Sequence, residues 1–462
     1  MLRPLVANAR RTAASMSSNR LQAIARHMSG AAPADEAPVL FTSEGNARTY
    51  ILNRPAALNT LNETMIDMLR NGRAFCAGGD VKDIVVNAAD PKKQRNALRF
   101  FQKEFELDFA FSTLSKPYVS VMDGFTMGGG VGISIGAPFR IVTEASSFAM
   151  PEAKIGYSPD VGASYFLPRL DGELGTYLAL TSNVITGRTI LEFGLATHYV
   201  PQRRLQTLLA ALCSLADPSP EAINRTIEEH SAEILPADPP AAFVGERRQA
   251  VDKCFSRPSV EGIIQDLKDY ISAGGSQAQW AQETLDAMLA RSPTSLRVAL
   301  QAVRRGKQLD LAEALQMEMG IATAFCTGAS PDFITGVTHL LVNKRKDGRP
   351  DWSPPTLEDT PEGIVKQFFD DSAYTNRAPQ LQLNRTAPHD DRLTRYALPS
   401  ETMIEAAIKG SLPGSGSFAL TPTELISLFE RRCGQKPGLK QKIQDVIGRK
   451  CKVEDGYLIW RH

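Results

Sequence analysis

The 462-residue sequence is poor in cysteine, with six residues and neither CxxC nor CxxH spacing. This scarcity excludes a disulfide-stapled secreted domain and argues against a zinc site built from paired cysteines. No stretch reaches the roughly 18 unbroken apolar residues of a membrane span, so we predict no such span. The GxGxxG and P-loop motifs of nucleotide sites are also missing, which disfavours a nucleotide-binding protein.

The chain has almost no net charge, with 52 Lys and Arg against 51 Asp and Glu. This balance gives no overall reason to expect nucleic acid as the main ligand. The charge is nevertheless uneven: residues 1–34 carry five arginines and no acid, and residues 376–462 carry 14 basic and nine acidic residues. Two basic ends therefore flank a mildly acidic body.

The N-terminal segment, residues 1–34, is rich in arginine, serine and alanine, and its first acid is delayed until Asp35. This composition is typical of a mitochondrial presequence. As a helix, the segment would place its leucines on one side and its arginines opposite. We therefore expect delivery to the mitochondrial matrix. The alternative interpretation is a disordered basic tail.

The rest of the chain predicts an α/β domain followed by a helical region. Residues 38–53 indicate a hairpin, because two strand-like runs flank a Glu-Gly-Asn turn. Further along, strand-like runs alternate with glycine-rich turns and helices. From about residue 204 to 340 the pattern becomes mostly helical. The expected strands lie at 118–122 and 139–142, and the expected helices lie near 94–113, 128–136 and 160–169.

Three glycine-rich or acid-bearing clusters carry the chemistry: AFCAGGD at 74–80, DGFTMGGGVG at 123–132, and FAMPE with the following IGYSPDVG at 148–162. Gly129, after a predicted strand, can present a bare backbone N–H at a helix start, and Gly79 can present another from a separate turn. Two such donors form an oxyanion hole, worth about 3–4 kcal/mol each where water is excluded. The alternative for either cluster alone is tight-turn geometry.

Together, these clusters resemble the crotonase (enoyl-CoA hydratase/isomerase) superfamily over residues 38–355, and within it the 3-hydroxyisobutyryl-CoA hydrolases. The resemblance is carried by FCAGGD, FTMGGGVG and FAMPEAKIGYSPDVGASYFLPRL. It implies a spiral of ββα repeats followed by a helical region. It also implies an acyl-CoA substrate and hydrolysis of its thioester, with no metal or redox cofactor. The oligomeric state is left open.

By this resemblance, the oxyanion amides fall on Gly79 and Gly129, the acid pair falls on Glu152 and Asp160, and a substrate-contacting glutamate falls on Glu104. Glu152 would either attack the thioester carbonyl or act as base on water, with Asp160 orienting the water. Without the resemblance, Glu152 reads as a solvent-exposed carboxylate and Asp160 as a helix N-cap.

One departure from the hydratases concerns reaction type. Hydratases carry a second catalytic glutamate where this chain has Gly132, so addition of water across a C=C bond has lost one partner. Hydrolysis therefore fits better, and enoyl-CoA hydration is the alternative.

A second departure lies before the FCAGGD turn. Members of the superfamily carry a long helix and a buried strand there, which need on the order of 17 residues. Only residues 62–73 are available, so both elements cannot fit. Either the gene model omits an exon or the chain is a shortened form, and the lost strand would lie beside the Gly79 amide.

The C-terminal residues 376–462 form a separate basic extension in the predicted organisation, after a presequence at 1–34 and a hydrolase domain at 35–375. Thr421-Pro422-Thr423-Glu424 is a capping box, and Leu439, Ile443 and Val446 share a second apolar face, so we predict two helices. Residues 430–462 hold nine basic and four acidic residues. One interpretation is that these charges lie on the solvent-facing side of a module that packs on the body. The other is that they contact RNA phosphates, which is implied because the extension resembles that of fungal mitochondrial hydrolases that are also mitoribosomal small-subunit proteins.

Overall fold

The computed structural model describes residues 37–70, 81–233, 241–345, 348–369, 371–384, 393–416, 418–434 and 436–461. The presequence predicted at 1–34 lies outside these ranges. So does the predicted oxyanion residue Gly79, together with the rest of the 74–80 cluster.

The elements follow the expected order of an α/β part and then a helical part. The strands are β1 Val39–Glu44, β2 Ala47–Leu52, β3 Val119–Met122, β4 Phe125–Met127, β5 Phe139–Val142, β6 Ser147–Ala149, β7 Ile185–Thr186, β8 His198–Tyr199, β9 Cys451–Glu454 and β10 Tyr457–Trp460. The helices of the α/β part are α1 Glu63–Arg70, α2 Val81–Ala89, α3 Gln94–Ser112, α4 Gly129–Ile135, α5 Ala163–Phe166, α6 Leu174–Thr181 and α7 Arg188–Glu192.

The helical part and the extension then follow. Their helices are α8 Gln202–Cys213, α9 Pro220–His230, α10 Gly245–Phe255, α11 Val260–Ala273, α12 Ala278–Leu289, α13 Pro293–Gly306, α14 Leu311–Cys326, α15 Asp332–Val337, α16 Glu362–Lys366, α17 Glu401–Ile408, α18 Pro422–Cys433 and α19 Leu439–Lys450. Within the described residues, no helix is long and apolar enough to cross a membrane.

The strands pair as expected for a spiral of ββα repeats. β3 and β4 lead into α4, and each pairs in parallel with a strand of the next repeat: β3 with β5, from Val119 opposite Phe139, and β4 with β6, from Phe125 opposite Ser147. β8 adds in parallel to β5, and β7 adds antiparallel to β6. Every residue of β5 is buried, as is usual for a parallel strand covered on both faces. Because of these pairings, the loops that follow successive strands lie next to one another at one end of the repeats.

The expected local elements are largely confirmed. The hairpin of β1 and β2, strands β3 and β5, and helices α3 and α4 form where the sequence predicts them. The helix expected near 160–169 is only the short α5, flanked by a 3-10 turn at Leu167–Arg169. Of the long helix and the strand that members of the superfamily carry before the FCAGGD turn, this chain has an eight-residue helix, α1, at Glu63–Arg70. A strand at 71–80 would fall outside the described residues.

The extension packs on the body, and its apolar side chains join the same core. Leu425 and Phe429 of α18 and Ile443 and Val446 of α19 are buried there. The capping box is present, since the Thr421 hydroxyl accepts from the Glu424 amide and the Glu424 carboxylate accepts from the Thr421 amide. The strands β9 and β10 were not expected, so the extension is not purely helical.

Buried ion pairs hold the extension to the body. Lys442 Nζ lies 2.6 Å from Asp171 Oδ2 of the body. Arg449 pairs with Glu401 within the extension, and Glu401 Oε1 also lies 3.1 Å from Nη2 of Arg248 in the body. Lys436 donates to the backbone oxygen of Thr197 at 3.1 Å. Three of the basic residues that suggested an RNA surface are therefore used inside the fold. Of the remaining six, Lys450 is half-buried and five stay exposed: Arg431, Arg432, Lys440, Lys452 and Arg461.

Candidate active site

A tight loop after β6 carries the first predicted acid. Pro151 precedes a 3-10 turn at Glu152–Ile155, which ends at Gly156 in the left-handed region with φ 76°. A Cβ on Gly156 would lie 2.1 Å from the Asp332 backbone oxygen, so only glycine allows this approach to α15. This contact anchors the loop and leaves Glu152 facing the interior.

Glu152 is 5% exposed, which rules out the solvent-exposed carboxylate considered from sequence. Its Oε1 lies 3.4 Å from the position that a Cβ on Gly128 would take, at the start of α4. Its Oε2 has no hydrogen-bond partner in the described part of the chain. Burial raises the pKa of Glu152 to about 8; a hydrogen bond from the backbone opposes this, and Glu318 and Glu104 add to it. Burial among other acids therefore favours the protonated form of Glu152.

Helix α3 supplies two more buried acids from one face. Glu104 and Asp108 lie four residues apart, and Phe101 and Phe105 share the same buried side of the helix. Burial raises the pKa of Glu104 to about 8. The pKa of Asp108 is raised well above its usual range by burial first, and then by Glu104 and two other acids, Asp160 and Glu318. The same four-residue spacing that makes α3 amphipathic thus directs both carboxyls inward.

Asp160, the second predicted acid, lies in a turn shaped by left-handed backbone at Val161, φ 56°, and Gly162, φ 89°. It is buried, and the N-cap of α5 is Gly162, so Asp160 is not the capping residue considered from sequence. Its pKa is raised well above the usual range by burial and then by Glu152, Glu104 and Glu318. These effects place Asp160 within the same group of acids.

Glu318 of α14 fixes that turn. Its two carboxylate oxygens accept from the Gly162 amide at 2.7 Å, and from the Ser164 amide at 2.8 Å and hydroxyl at 2.6 Å. Burial raises the pKa of Glu318 to about 7, although these three hydrogen bonds oppose the rise. Glu318 therefore holds the segment that carries Asp160.

Aromatic rings surround the acids. The Tyr157 ring packs on Phe101, Phe325 and Phe333 at centroid distances of 5.6, 5.1 and 4.7 Å. This apolar wall excludes water from the neighbouring carboxyls, which is the physical cause of their raised pKa values. It also strengthens any electrostatic interaction with a reacting group.

Gly129, the predicted oxyanion donor, is the first residue of α4, after Gly128 with φ 50°. At that position the backbone N–H has no partner within its own helix and is available to a ligand. The structure thus brings Glu104, Gly129, Glu152 and Asp160 into one region. The other predicted donor, Gly79, lies outside the described residues.

Two acids of this region, Asp108 and Glu318, were missed by the sequence analysis. Asp108 could have been found, because a second acid four residues after Glu104 on a phenylalanine-rich helix indicates two carboxyls on one buried face. Glu318 carries no local signal, since it reaches the turn from a helix more than 150 residues away. In the described part of the chain, no group of three or more His, Cys, Asp or Glu side chains is arranged to hold a metal ion.

Two comparisons with known proteins concern the family and the fold. A family profile described as enoyl-CoA hydratase/isomerase matches residues 69–369. Among solved structures, a carnitinyl-CoA dehydratase from Mycobacterium thermoresistibile superposes with a TM-score of 0.65 at 31% identity, covering 76% of this chain and 99% of that one. The same core fold is therefore present in both proteins.

Curated relatives extend the similarity to two kinds of protein. The mitochondrial 3-hydroxyisobutyryl-CoA hydrolase of Danio rerio is 38% identical over 374 residues, which are 76% of this chain and 92% of that protein. The small ribosomal subunit protein mS47 of Neurospora crassa is 37% identical over 444 residues, covering 89% of this chain and 85% of that protein. The second similarity spans more of this chain than the first.

Proposed function

The chain belongs to the enoyl-CoA hydratase/isomerase family, and we propose that it hydrolyses 3-hydroxyisobutyryl-CoA to 3-hydroxyisobutyrate and coenzyme A. The observation that carries this proposal is the buried Glu152 carboxyl, which lies against the start of α4 with one oxygen unpartnered among the described residues. The hydrolases named for this substrate in Danio rerio and Gallus gallus support the choice of acyl group. The mitochondrial relatives support a location in the mitochondrion, and the arginine-rich segment 1–34 supports the matrix, where the reaction would be a step of valine breakdown.

In the proposed reaction, the Gly129 amide and the Gly79 amide donate to the thioester oxygen, where negative charge develops. Glu152 then acts as an ionised carboxylate in one of two ways. As nucleophile, it bonds to the carbonyl carbon, the C–S bond breaks and coenzyme A leaves as thiolate; water then opens the anhydride and restores Glu152. As base, it takes a proton from the water whose oxygen bonds to the same carbon; the C–S bond then breaks, and the proton passes from Glu152 to the departing thiolate of coenzyme A. In both routes, Asp160 orients the water.

Hydrolysis is favoured over hydration by Gly132. In hydratases, a second catalytic glutamate at this position of α4 exchanges a proton with the substrate. Gly132 has no side chain, and the carboxyl that lies above it, that of Asp108, comes from α3 instead of α4. Hydration of crotonyl-CoA is therefore expected to be slower than hydrolysis of 3-hydroxyisobutyryl-CoA.

The test is release of free thiol from 3-hydroxyisobutyryl-CoA by the purified full chain. Removing a catalytic carboxyl lowers rates by about 10²–10⁴-fold, so E152Q is expected to lose activity by about a thousandfold. The matched control is E106Q, since Glu106 is also a buried acid of α3 but accepts from the Gln382 amide of the extension at 3.0 Å. Equal activity of wild type and E152Q would overturn the assignment, and faster hydration of crotonyl-CoA would favour the hydratase alternative.

A second candidate function is association with the small subunit of the mitochondrial ribosome. It is supported by the similarity to the Neurospora crassa ribosomal protein and by the basic side chains that the extension leaves exposed, including Arg431 and Lys440. Exposed lysines and arginines bind phosphates, and such binding weakens as salt rises. Association and hydrolysis can coexist, because these side chains lie on the extension and the acids lie in the body.

Sedimentation of tagged protein with assembled mitochondrial small subunits tests this role. Reversing the exposed charges with R431E, R432E and K440E is expected to release the protein from the subunits while leaving thioester cleavage unchanged. A chain that stays at the top of the gradient even at low salt would contradict the association.

A further inference from the structure

The carboxyl of Asp108 occupies the space above Gly132. A Cβ built on Gly132 would lie 2.6 Å from each of the Asp108 atoms Cγ, Oδ1 and Oδ2. That distance is shorter than real contacts allow, so a side chain at 132 would require the Asp108 carboxyl to move. The carboxyl that fills this space comes from α3, and α4 contributes no side chain at position 132.

This carboxyl is buried without partners. Asp108 is 2% exposed, and neither of its oxygens has a hydrogen-bond partner in the described ranges. Glu104 Oε1, one turn earlier on α3, is also buried and has no hydrogen-bond partner in the described ranges. A buried polar group without a partner destabilises the fold, and its presence calls for an explanation, such as a catalytic role or a bound group that completes the hydrogen bonding. The two carboxyls are therefore suited to a polar group of the substrate.

The position relative to Glu152 indicates which substrate group that is. The Gly132 amide donates to the Gly128 carbonyl at 3.3 Å, so the two glycines lie one helical turn, about 5.4 Å, apart at the start of α4. The carboxyls of Glu152 and Asp108 lie against these two positions. In a 3-hydroxyacyl thioester, three bonds of about 1.5 Å each separate the carbonyl carbon from the 3-hydroxyl oxygen. A carbonyl held at Gly129 and Glu152 thus brings this hydroxyl within reach of Asp108.

We propose that Asp108 determines specificity by hydrogen bonding the 3-hydroxyl group of the acyl chain, with Glu104 beside it. This inference rests on the proposed function, because it requires the thioester carbonyl to lie at Gly129. A site built around a substrate hydroxyl rejects the analogue that lacks it far more strongly than an apolar pocket does, since the polar group is then left buried and unpaired. Gly132 is essential to this arrangement because it leaves room for the carboxyl.

The test compares kcat/KM for two thioesters, 3-hydroxyisobutyryl-CoA and isobutyryl-CoA, which differ only in the hydroxyl. In D108A, the preference for the hydroxylated substrate is expected to fall at least tenfold, with kcat/KM for isobutyryl-CoA within about threefold of wild type. D108N, which keeps the size and one acceptor, should lie between, and it carries the test if D108A does not fold. E106Q is the matched control on the same helix and should keep the wild-type preference.

An unchanged ratio of the two substrates in both D108A and D108N would overturn the inference. So would an equal loss on both substrates, since a merely structural role would lower both together. If wild type cleaves neither thioester, the proposed function fails, and the inference is judged by binding instead. Calorimetry should then show that wild type binds 3-hydroxyisobutyryl-CoA more tightly than isobutyryl-CoA and that D108N reduces this difference; equal affinities in wild type would contradict it.

Discussion

Two regions of this molecule bury acids in opposite ways. At the junction of body and extension, Asp171 is 8% exposed, but Lys442 Nζ lies 2.6 Å from its Oδ2 and the Glu401 amide donates to its Oδ1 at 2.7 Å. Burial opposes ionisation of Asp171, yet Lys442, the Glu401 amide and Arg248 together outweigh burial, and the pKa is lowered. Around Glu152, the neighbouring charges are acids, and the pKa is raised to about 8. Burial alone therefore does not decide the charge of a carboxyl; its partners do.

The acids at the junction contribute to stability, whereas the acids around Glu152 are suited to catalysis. A buried acid with a cation and an amide is fully satisfied and holds two parts of the chain together. A buried acid that faces other acids destabilises the fold, and it is retained where a reaction needs a carboxyl of altered basicity. Substitutions in the two regions should accordingly affect different properties.

The largest expected effect lies at the junction. Removing one partner of a buried ion pair costs about 3–5 kcal/mol, so K442M is expected to lower the free energy of unfolding by about 3 kcal/mol at neutral pH. Activity per folded molecule should stay at the wild-type level. Chemical denaturation measures the first and thiol release the second, with K440M, at an exposed lysine of the same helix, as control. A loss below about 1 kcal/mol would show that the junction does not depend on this pair.

The next effect concerns the turn that carries Asp160. E318Q keeps the shape of the side chain but removes one strong acceptor from the Gly162 and Ser164 amides. A displacement of about 1 Å in an active site can cost a hundredfold in rate, so kcat is expected to fall about that much with KM nearly unchanged. S164A, which removes only the hydroxyl donor, should have a smaller effect. Equal kcat in E318Q and wild type would remove Glu318 from the positioning role.

The smallest effect is a gain in stability. The pKa of Glu152 rises from its ordinary value of 4.5 to about 8 on folding, so the unfolded chain ionises first and stability falls as pH rises between these values. E152Q removes that penalty. It should be more stable than wild type by at least about 1 kcal/mol at pH 7 and nearly equal to it at about pH 4. A loss of stability at pH 7, with E106Q unchanged, would contradict the unpaired state of Glu152.

Much of the fold could be predicted from the sequence because its signals are local. Glycine-rich turns, the buried strands β3 and β5 and the Thr421 capping box each depend on a few neighbouring residues. The prediction failed for β9 and β10, where short runs of mixed polarity carry little periodic signal. It also failed for the pairing of Lys442 with Asp171, because contacts between residues far apart in the chain leave no local pattern.

In the candidate site, too, local features could be predicted and contacts between distant residues could not. Glu104, Gly129, Glu152 and Asp160 lie in motifs that can be read from the chain, and the structure brings them together. Whether such acids are buried, and whether they have partners, depends on how α3, α4 and α14 pack. Sequence therefore indicated the candidate residues and left open the solvent-exposed alternative for Glu152, which only the packing excludes.

The pH dependence of kcat/KM for 3-hydroxyisobutyryl-CoA tests the central claim most directly, because it reports ionisation of the free enzyme. If Glu152 is buried among acids and must lose its proton to act, kcat/KM should rise about tenfold per pH unit from about pH 6 and level off above about pH 8. The E152Q variant should lack this rise. A wild-type profile that is flat from about pH 6 upward would mean that the carboxyl is already ionised at neutral pH, and it would contradict the account.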